Sequence, residues 1–487
     1  MAIVTQRPRK RLSPKAPRRA RARIRAERRR RARKARSSRR RIDRIHRRLP
    51  APVHDVFDPL APAFTRPTYR RFVLLALAAI LTTGAHTVAN LLRTLGRLAP
   101  GEPSSYHAFF SRDRWSPWAL ARRLAAIVLA RFVPAGVVEL AADDTVTEHP
   151  GHEVYGKGCH RDPVRSTHSF TAYRWGHKWV ALVVLVKVPW ATRRWALPLL
   201  LALYRPPGQA RRHKTPAQRA RQLLRVLLRW FPERQFVCSG DGTYGSHEFA
   251  GLAARHPGRV TVVSRFHPRA NLVSPPPPYS GNGRPRVKGE DLPRPADVVA
   301  TDRRRRAEVD WYGGSRRRVE LVSGVGLWYR HGERLIPVRW VFVHDRTGTH
   351  RDEYFFTTDP TMAPEAVIAA YTGRWNIETT FAELRAFLGL ETTQGHARRT
   401  VLRAEPCLFG LYTVVVLLYA ALPARWRRER ASAWPGKRDV TFSDAITAVR
   451  RWLWLGWVFA APGPGEALRK LPAGLRRILL NALAPAA

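Results

Sequence analysis

The chain has 487 residues, 45% of them apolar, which is enough for two or three domains around a substantial core. Its 87 Lys plus Arg against 36 Asp plus Glu give a formal charge of +51, so a polyanionic partner is the first expectation. Three widely separated cysteines (Cys159, Cys238, Cys407) exclude a disulfide framework or a paired-spacing zinc site, and with no apolar h-region after the basic start they fit a cytoplasmic protein.

Residues 1–50 hold 23 Lys/Arg and two acids, Glu27 and Asp43. Runs such as "RARIRAERRRRARKARSSRRR" are too poor in apolar residues to fold alone, and predict a disordered Arg-rich arm lying along phosphates. A solubilising extension is the bland alternative. Residues 51–69, rich in proline, read as a linker. Residues 70–135 read as helical, with a loose helix-turn-helix pattern across "GAHTVANLLRTLG" and "SYHAFFSRDRW" that suits a DNA reader or a plain bundle equally. The apolar stretches "FVLLALAAILTTGAHTVANLL" and "CLFGLYTVVVLLYAALPA" approach the length of a membrane span, but the first carries His86 and Asn90 and the second is short; both read as buried helices, with no membrane partner.

From 136 the pattern turns to strands ("VVELAADDT", "HSFTAYRWG", "KWVALVVLVKV", "RWALPLLLALY"). A Pro-started helix follows, then the strand "QFVCSGDGTYG", the helix "SHEFAGLAARH" and the strand "RVTVVSRF". This order predicts a mixed α/β core over 136–269. Residues 270–350, opening on the low-complexity "SPPPPYSGNGRPRVKGEDLPRP", read as a β-rich insertion; 351–404 return to the core with a long helix, and 405–487 read as helical.

That long helix carries "YTGRWNIETTFAELR". At about 100° per residue, with Glu378 at zero, Tyr371, Arg374 and Arg385 fall within about 40° of it. Ile377, Phe381, Leu384 and Leu388 form a neighbouring apolar stripe. Taken alone, the polar face is an ordinary salt-bridge surface, worth only about 0.2 to 0.5 kcal/mol per pair. Asp143 and Asp144 close the run "VVELAA", however, and Asp241 closes "QFVCSG". Acids at the carboxyl ends of strands occupy the edge where open α/β sheets bind ligands. Three such carboxylates suit two Mg²⁺ ions about 3.5 to 4 Å apart, and with them phosphoryl transfer, while arginines beside Glu378 would hold phosphates.

The spacing Tyr371-x2-Arg374-x3-Glu378-x6-Arg385 resembles the Y-x2-R-x3-E-x6-K signature of one branch of DDE insertion-sequence transposases, and "DDT" and "DGTYG" resemble that family's two Asp motifs. Arg385 departs from the pattern by standing where Lys is usual. The resemblance implies an RNase H-like core interrupted by a β insertion, with helical regions before and after. It also implies a metal-binding catalytic triad of Asp143, Asp241 and Glu378, with Asp144 as the alternate to Asp143. Tyr371, Arg374 and Arg385 would contact DNA. It further implies two Mg²⁺ ions, with Mn²⁺ as substitute; double-stranded DNA partners in the form of inverted-repeat ends and target; and a homodimer on DNA. A catalytically inactive DNA-binding regulator is the rival reading.

Three further signals compete. "GHEVYGKG" (151–158) nearly matches a phosphate-binding loop, which would make the chain an ATP-driven enzyme, but Gly158 stands where Ser or Thr should be. His149, His152, His160, His168 and His177 crowd one region without zinc spacing. Trp311, Trp328 and Trp340 of the insertion are expected in its core, with stacking on an unpaired base as the other role.

Overall fold

The computed structural model describes residues 18–162, 165–209, 211–279, 281, 283–428, 436–460 and 470–485. Six helices come first: α1 (Arg18–Arg47), α2 (Ala51–Phe57), α3 (Arg66–Leu81), α4 (Val88–Leu95), α5 (Pro103–Ser111) and α6 (Pro117–Phe132). The run expected as a disordered arm is therefore helical from Arg18. Arg and Ala are strong helix formers, and thirty residues repay the cost of nucleation. Its end is anchored by buried Ile42 and by an ion pair of Asp43 with Arg70 of α3. Residues 1–17 of the expected arm lie outside the described residues. The expected linker is also structured: Val53, Val56, Phe57 and Leu60 are buried.

The strands are β1 (Val138–Glu148), β2 (Gly158–Arg161), β3 (Tyr173–Val188) and β4 (Ala191–Tyr204). After α7 (Pro216–Trp230) comes β5 (Phe236–Gly240), and after α8 (His247–Arg255) comes β6 (Val260–Arg265). β4, β3 and β1 pair antiparallel; β1, β5 and β6 pair parallel. That order, with a helical crossover before each parallel strand, is the RNase H-like arrangement. α7 starts at a capping box, Thr215 with Gln218, which satisfies two amides at the helix start.

The insertion contributes β7 (Leu272–Val273), α9 (Pro295–Thr301), β8 (Arg305–Asp310), β9 (Arg316–Trp328) and β10 (Ile336–Asp345), and β11 (Glu353–Thr357) leads back. It does not form a separate β unit. β11 pairs antiparallel with β6, and β10 and β9 continue outward, giving one 11-stranded sheet. Trp340 and Trp311 are buried, and Trp328 packs on His247, Phe266 and Phe356, so these tryptophans fill the core.

α10 (Pro364–Gly373), α11 (Asn376–Leu388), α12 (Arg398–Ala421), α13 (Ala424–Arg428), α14 (Phe442–Leu453) and α15 (Ala473–Leu483) complete the described elements. α12 has the length and apolarity of a membrane span, but 72% of that window is buried inside the protein. The single long helix expected over 363–390 is in fact two. Between them the hydrogen bonds tighten to three-residue spacing: Arg374 N to Tyr371 O, Trp375 N to Thr372 O, Ile377 N to Arg374 O and Glu378 N to Trp375 O. This 3₁₀ step also separates two hydrophobic cores. Val367, Ile368 and Tyr371 of α10 pack with the insertion residues Val319, Leu321 and Val341, whereas Ile377, Phe381 and Leu384 of α11 join the main core.

Candidate active site

The parallel pairing of β1 with β5 sets Ala142 beside Gly240. Asp143 and Asp241, the next residue on each, therefore stand on neighbouring strands about 4.8 Å apart. Asp241 begins a 3₁₀ turn and its Oδ1 accepts from Thr243 N at 2.9 Å, which fixes the carboxylate at the strand end. Ser264 Oγ donates to Asp241 O at 2.7 Å. A Cβ at Gly240 would stand 2.5 Å from that of Tyr244, so glycine is what lets Tyr244 tuck beneath the acids.

Adjacent strand residues point to opposite faces, and this separates Asp143 from Asp144. Asp144 pairs with Lys178 Nζ at 2.8 Å. Asp143 instead faces α11. Its Oδ2 accepts from Arg374 Nη1 at 2.5 Å, and the same guanidinium lies 3.4 Å from Glu378 Oε1. The structure thus brings Asp143, Arg374 and Glu378 together, with Asp241 alongside.

Electrostatics show how demanding this cluster is. Burial pushes Asp143 up to about 7 even though Arg374 opposes the shift, and Asp241 and Asp144 add to it. Burial also raises Glu378, again against Arg374, and raises Asp144 against Lys178. Burial disfavours the charge on Arg374, but Asp143, Tyr371 and Glu378 outweigh it and hold the guanidinium above its ordinary value. Tyr244, buried under all three aspartates, is held well above the phenol range. Arg374 and Lys178 therefore do not offset what burial costs these carboxylates. An all-oxygen donor set that includes two buried carboxyls raised by desolvation, Asp143 and Glu378, fits a hard divalent metal, which Asp143, Asp241 and Glu378 would hold. Their oxygens are not all within 4.8 Å of one another here, because Arg374 lies between Asp143 and Glu378.

The other residues of the signature lie elsewhere. Tyr371, expected against DNA, is 1% exposed and packs on Phe355 at 4.3 Å, under Arg265 and Arg374. Arg385, also expected against DNA, donates to Thr145 Oγ1 (2.7 Å), Val146 O (2.9 Å) and Glu391 Oε1 (2.8 Å), tying α11 to β1. Arg374 is buried as well. Trp375, which the sequence reading did not single out, is 46% exposed beside them. Its angle on the same helical wheel, outward from the apolar stripe, was the available signal.

The competing motifs lose their roles. No helix follows 151–158: β2 begins at Gly158, and Lys157 Nζ donates to Gly151 O at 2.6 Å, so the loop lacks the architecture of a nucleotide site. His177 is enclosed with Glu405, whose carboxylate also accepts from Thr147 and Trp179. A cavity of about 1050 Å³ lies away from the acids, among Phe72, Trp118, Leu201 and Arg403.

Residues 59–318, more than half of the chain and including Asp143 and Asp241, match the family model described as DDE superfamily endonuclease. The chain belongs to the DDE endonuclease superfamily. Residues 333–419, which include Glu378 and its neighbours, match the model for the archaeal putative transposase ISC1217. Together the two matches support a transposase role, and superfamily membership implies divalent-metal use. No curated protein matches. Among solved structures, the piggyBac transposase synaptic complex with hairpin DNA is 9% identical with a TM-score of 0.39, covering 88% of this chain and 81% of that one; no argument rests on so slight a likeness.

Proposed function

We propose that this DDE endonuclease is a transposase of the Y-x2-R-x3-E-x6-K branch, which cleaves DNA at the ends of its element and joins the 3′ ends to target DNA. The observation that carries the reading is the convergence of Asp143 from the middle of β1, Asp241 from the end of β5 and Glu378 from α11 about the guanidinium of Arg374. Asp143, Asp241 and Glu378 would hold two Mg²⁺ ions, which supply activation of a water or 3′ hydroxyl and stabilisation of the leaving oxygen in an in-line displacement. Asp143 ionises to bind, and Thr243 N keeps Asp241 aimed inward. Arg374 turns from the acids to the phosphate beside the scissile bond, while Arg385 fixes α11 against β1. The basic surface attracts double-stranded DNA, two copies bridge a pair of ends, and the protein works on the nucleoid in the cytoplasm.

The test is Mg²⁺-dependent nicking of DNA that carries the element's terminal inverted repeats. Wild type should cut, and Asp241→Ala and Glu378→Ala should bind without cutting. If wild type binds the ends without nicking them under any divalent metal, the chain is a DNA-binding regulator descended from a transposase.

A further inference from the structure

A group of side chains able to ligate a metal lies outside the acidic site, where the Arg-rich helix meets the helices that follow. His46 is in the last turn of α1; His54 is in α2 and Asp58 follows one helical turn later. A ring nitrogen of each histidine and a carboxylate oxygen of Asp58 all lie within 4.8 Å of one another. His54 Nδ1 is 3.1 Å from Asp58 Oδ2. In a tetrahedral site with bonds of about 2.0 to 2.1 Å, neighbouring ligand atoms stand about 3.3 Å apart, so this pair is already at coordination spacing. His46 Nε2 is buried and meets no hydrogen-bond partner. Tyr69 from α3 donates to the other oxygen of Asp58 at 2.6 Å and lays its ring 5.4 Å from His46, the kind of outer contact that orients a metal-binding carboxylate.

We propose that His46, His54 and Asp58 bind a Zn²⁺-class divalent ion that fastens the end of α1 to α2. The ligand types choose the ion. Two imidazoles and one carboxylate suit zinc, whereas Mg²⁺ prefers an all-oxygen set. The charged setting narrows the choice: Arg44, Arg47 and Arg48 flank His46 in sequence and Arg66 bears on it. These cations oppose any divalent ion, so one that binds here must be held by directed nitrogen bonds and not by charge alone. Exposed Asp58 leaves the fourth position to water. The ion would join the two segments through side chains alone, fixing where the basic helix leaves the body of the protein.

The test uses the full chain with Asp143→Asn and Asp241→Asn, which removes binding at the acids, freed of metal by chelation and titrated with Co²⁺. The expected result is one equivalent per chain, with the visible absorption of a four-coordinate Co²⁺ site that Zn²⁺ then displaces. His54→Asn, at a partly exposed side chain, should abolish the band with circular dichroism unchanged. Tyr69→Phe should weaken binding roughly 10- to 100-fold. Absence of the band in the histidine-intact protein, or a band that survives both His54→Asn and His46→Gln, would overturn the proposal.

Discussion

The charge balance at Asp143 can be tested through stability alone. Burial raises this carboxyl from an ordinary value of 3.8 to about 7. Between those limits the folded chain keeps a proton that the unfolded chain has lost, so folding is favoured at low pH and that advantage disappears as pH rises through 7. At 1.36 kcal/mol per pKa unit, the group accounts for about 4 kcal/mol across the window. Denaturant unfolding of the metal-free protein, followed from pH 4 to 8 in wild type and Asp143→Asn, measures it. Subtracting the variant's profile removes Asp144 and Glu378, which burial also raises. The difference should fall by about 4 kcal/mol as pH rises, most of it before pH 7, and Mg²⁺ should flatten the wild-type curve by favouring the ionised form. If the two metal-free profiles run parallel, Asp143 is adequately compensated by Arg374 and the argument for a missing cation fails.

Other outcomes follow from the same contacts. Arg374→Gln removes the cation that contacts both Asp143 and Glu378; the metal-free protein should lose about 3 to 5 kcal/mol, and Mg²⁺ should raise its melting temperature more than that of wild type. Asp241→Ala and Glu378→Ala should each lower the nicking rate by about 10³-fold, the equivalent of roughly 4 kcal/mol of transition-state stabilisation, with end binding retained in a mobility-shift assay. Glu405→Ala strands His177, Thr147 and Trp179 in the core and should cost about 3 kcal/mol or more in equilibrium unfolding. DNA affinity should fall by about 10³-fold or more between 50 and 200 mM salt, with a shallower slope once residues 1–47 are removed.

The β-strands were legible because apolar runs and the aspartates that follow them are local signals. "QFVCSGDG" does end where the chain turns, but β1 runs on through "VVELAADDT" to Glu148, so Asp143 lies within its strand, beside the end of β5, and not at the strand end the sequence suggested. What the sequence hid is long-range. The angular argument for Tyr371, Arg374, Glu378 and Arg385 assumed one continuous helix, yet the 3₁₀ step at Arg374–Trp375 rotates Tyr371 into the insertion's core. Gly373, a poor helix former, was the faint local warning. Nor does any local pattern reveal that β11 pairs with β6, since pairing partners are fixed by packing across some ninety residues. The Arg-rich run misled for the opposite reason: its composition forbids a core of its own, but a helix needs only propensity and one anchored end, which Ile42 and Asp43 provide.

The two cores meet at one guanidinium. Because α10 packs in the smaller core, with the insertion strands and Val263 of β6, and α11 packs in the main core, the turn between them is set by both. Arg374 occupies that turn, one hand on Asp143 and the other on Glu378. Its side chain therefore answers to both cores at once, and a substitution in either that shifts α10 or α11 should register at the acids.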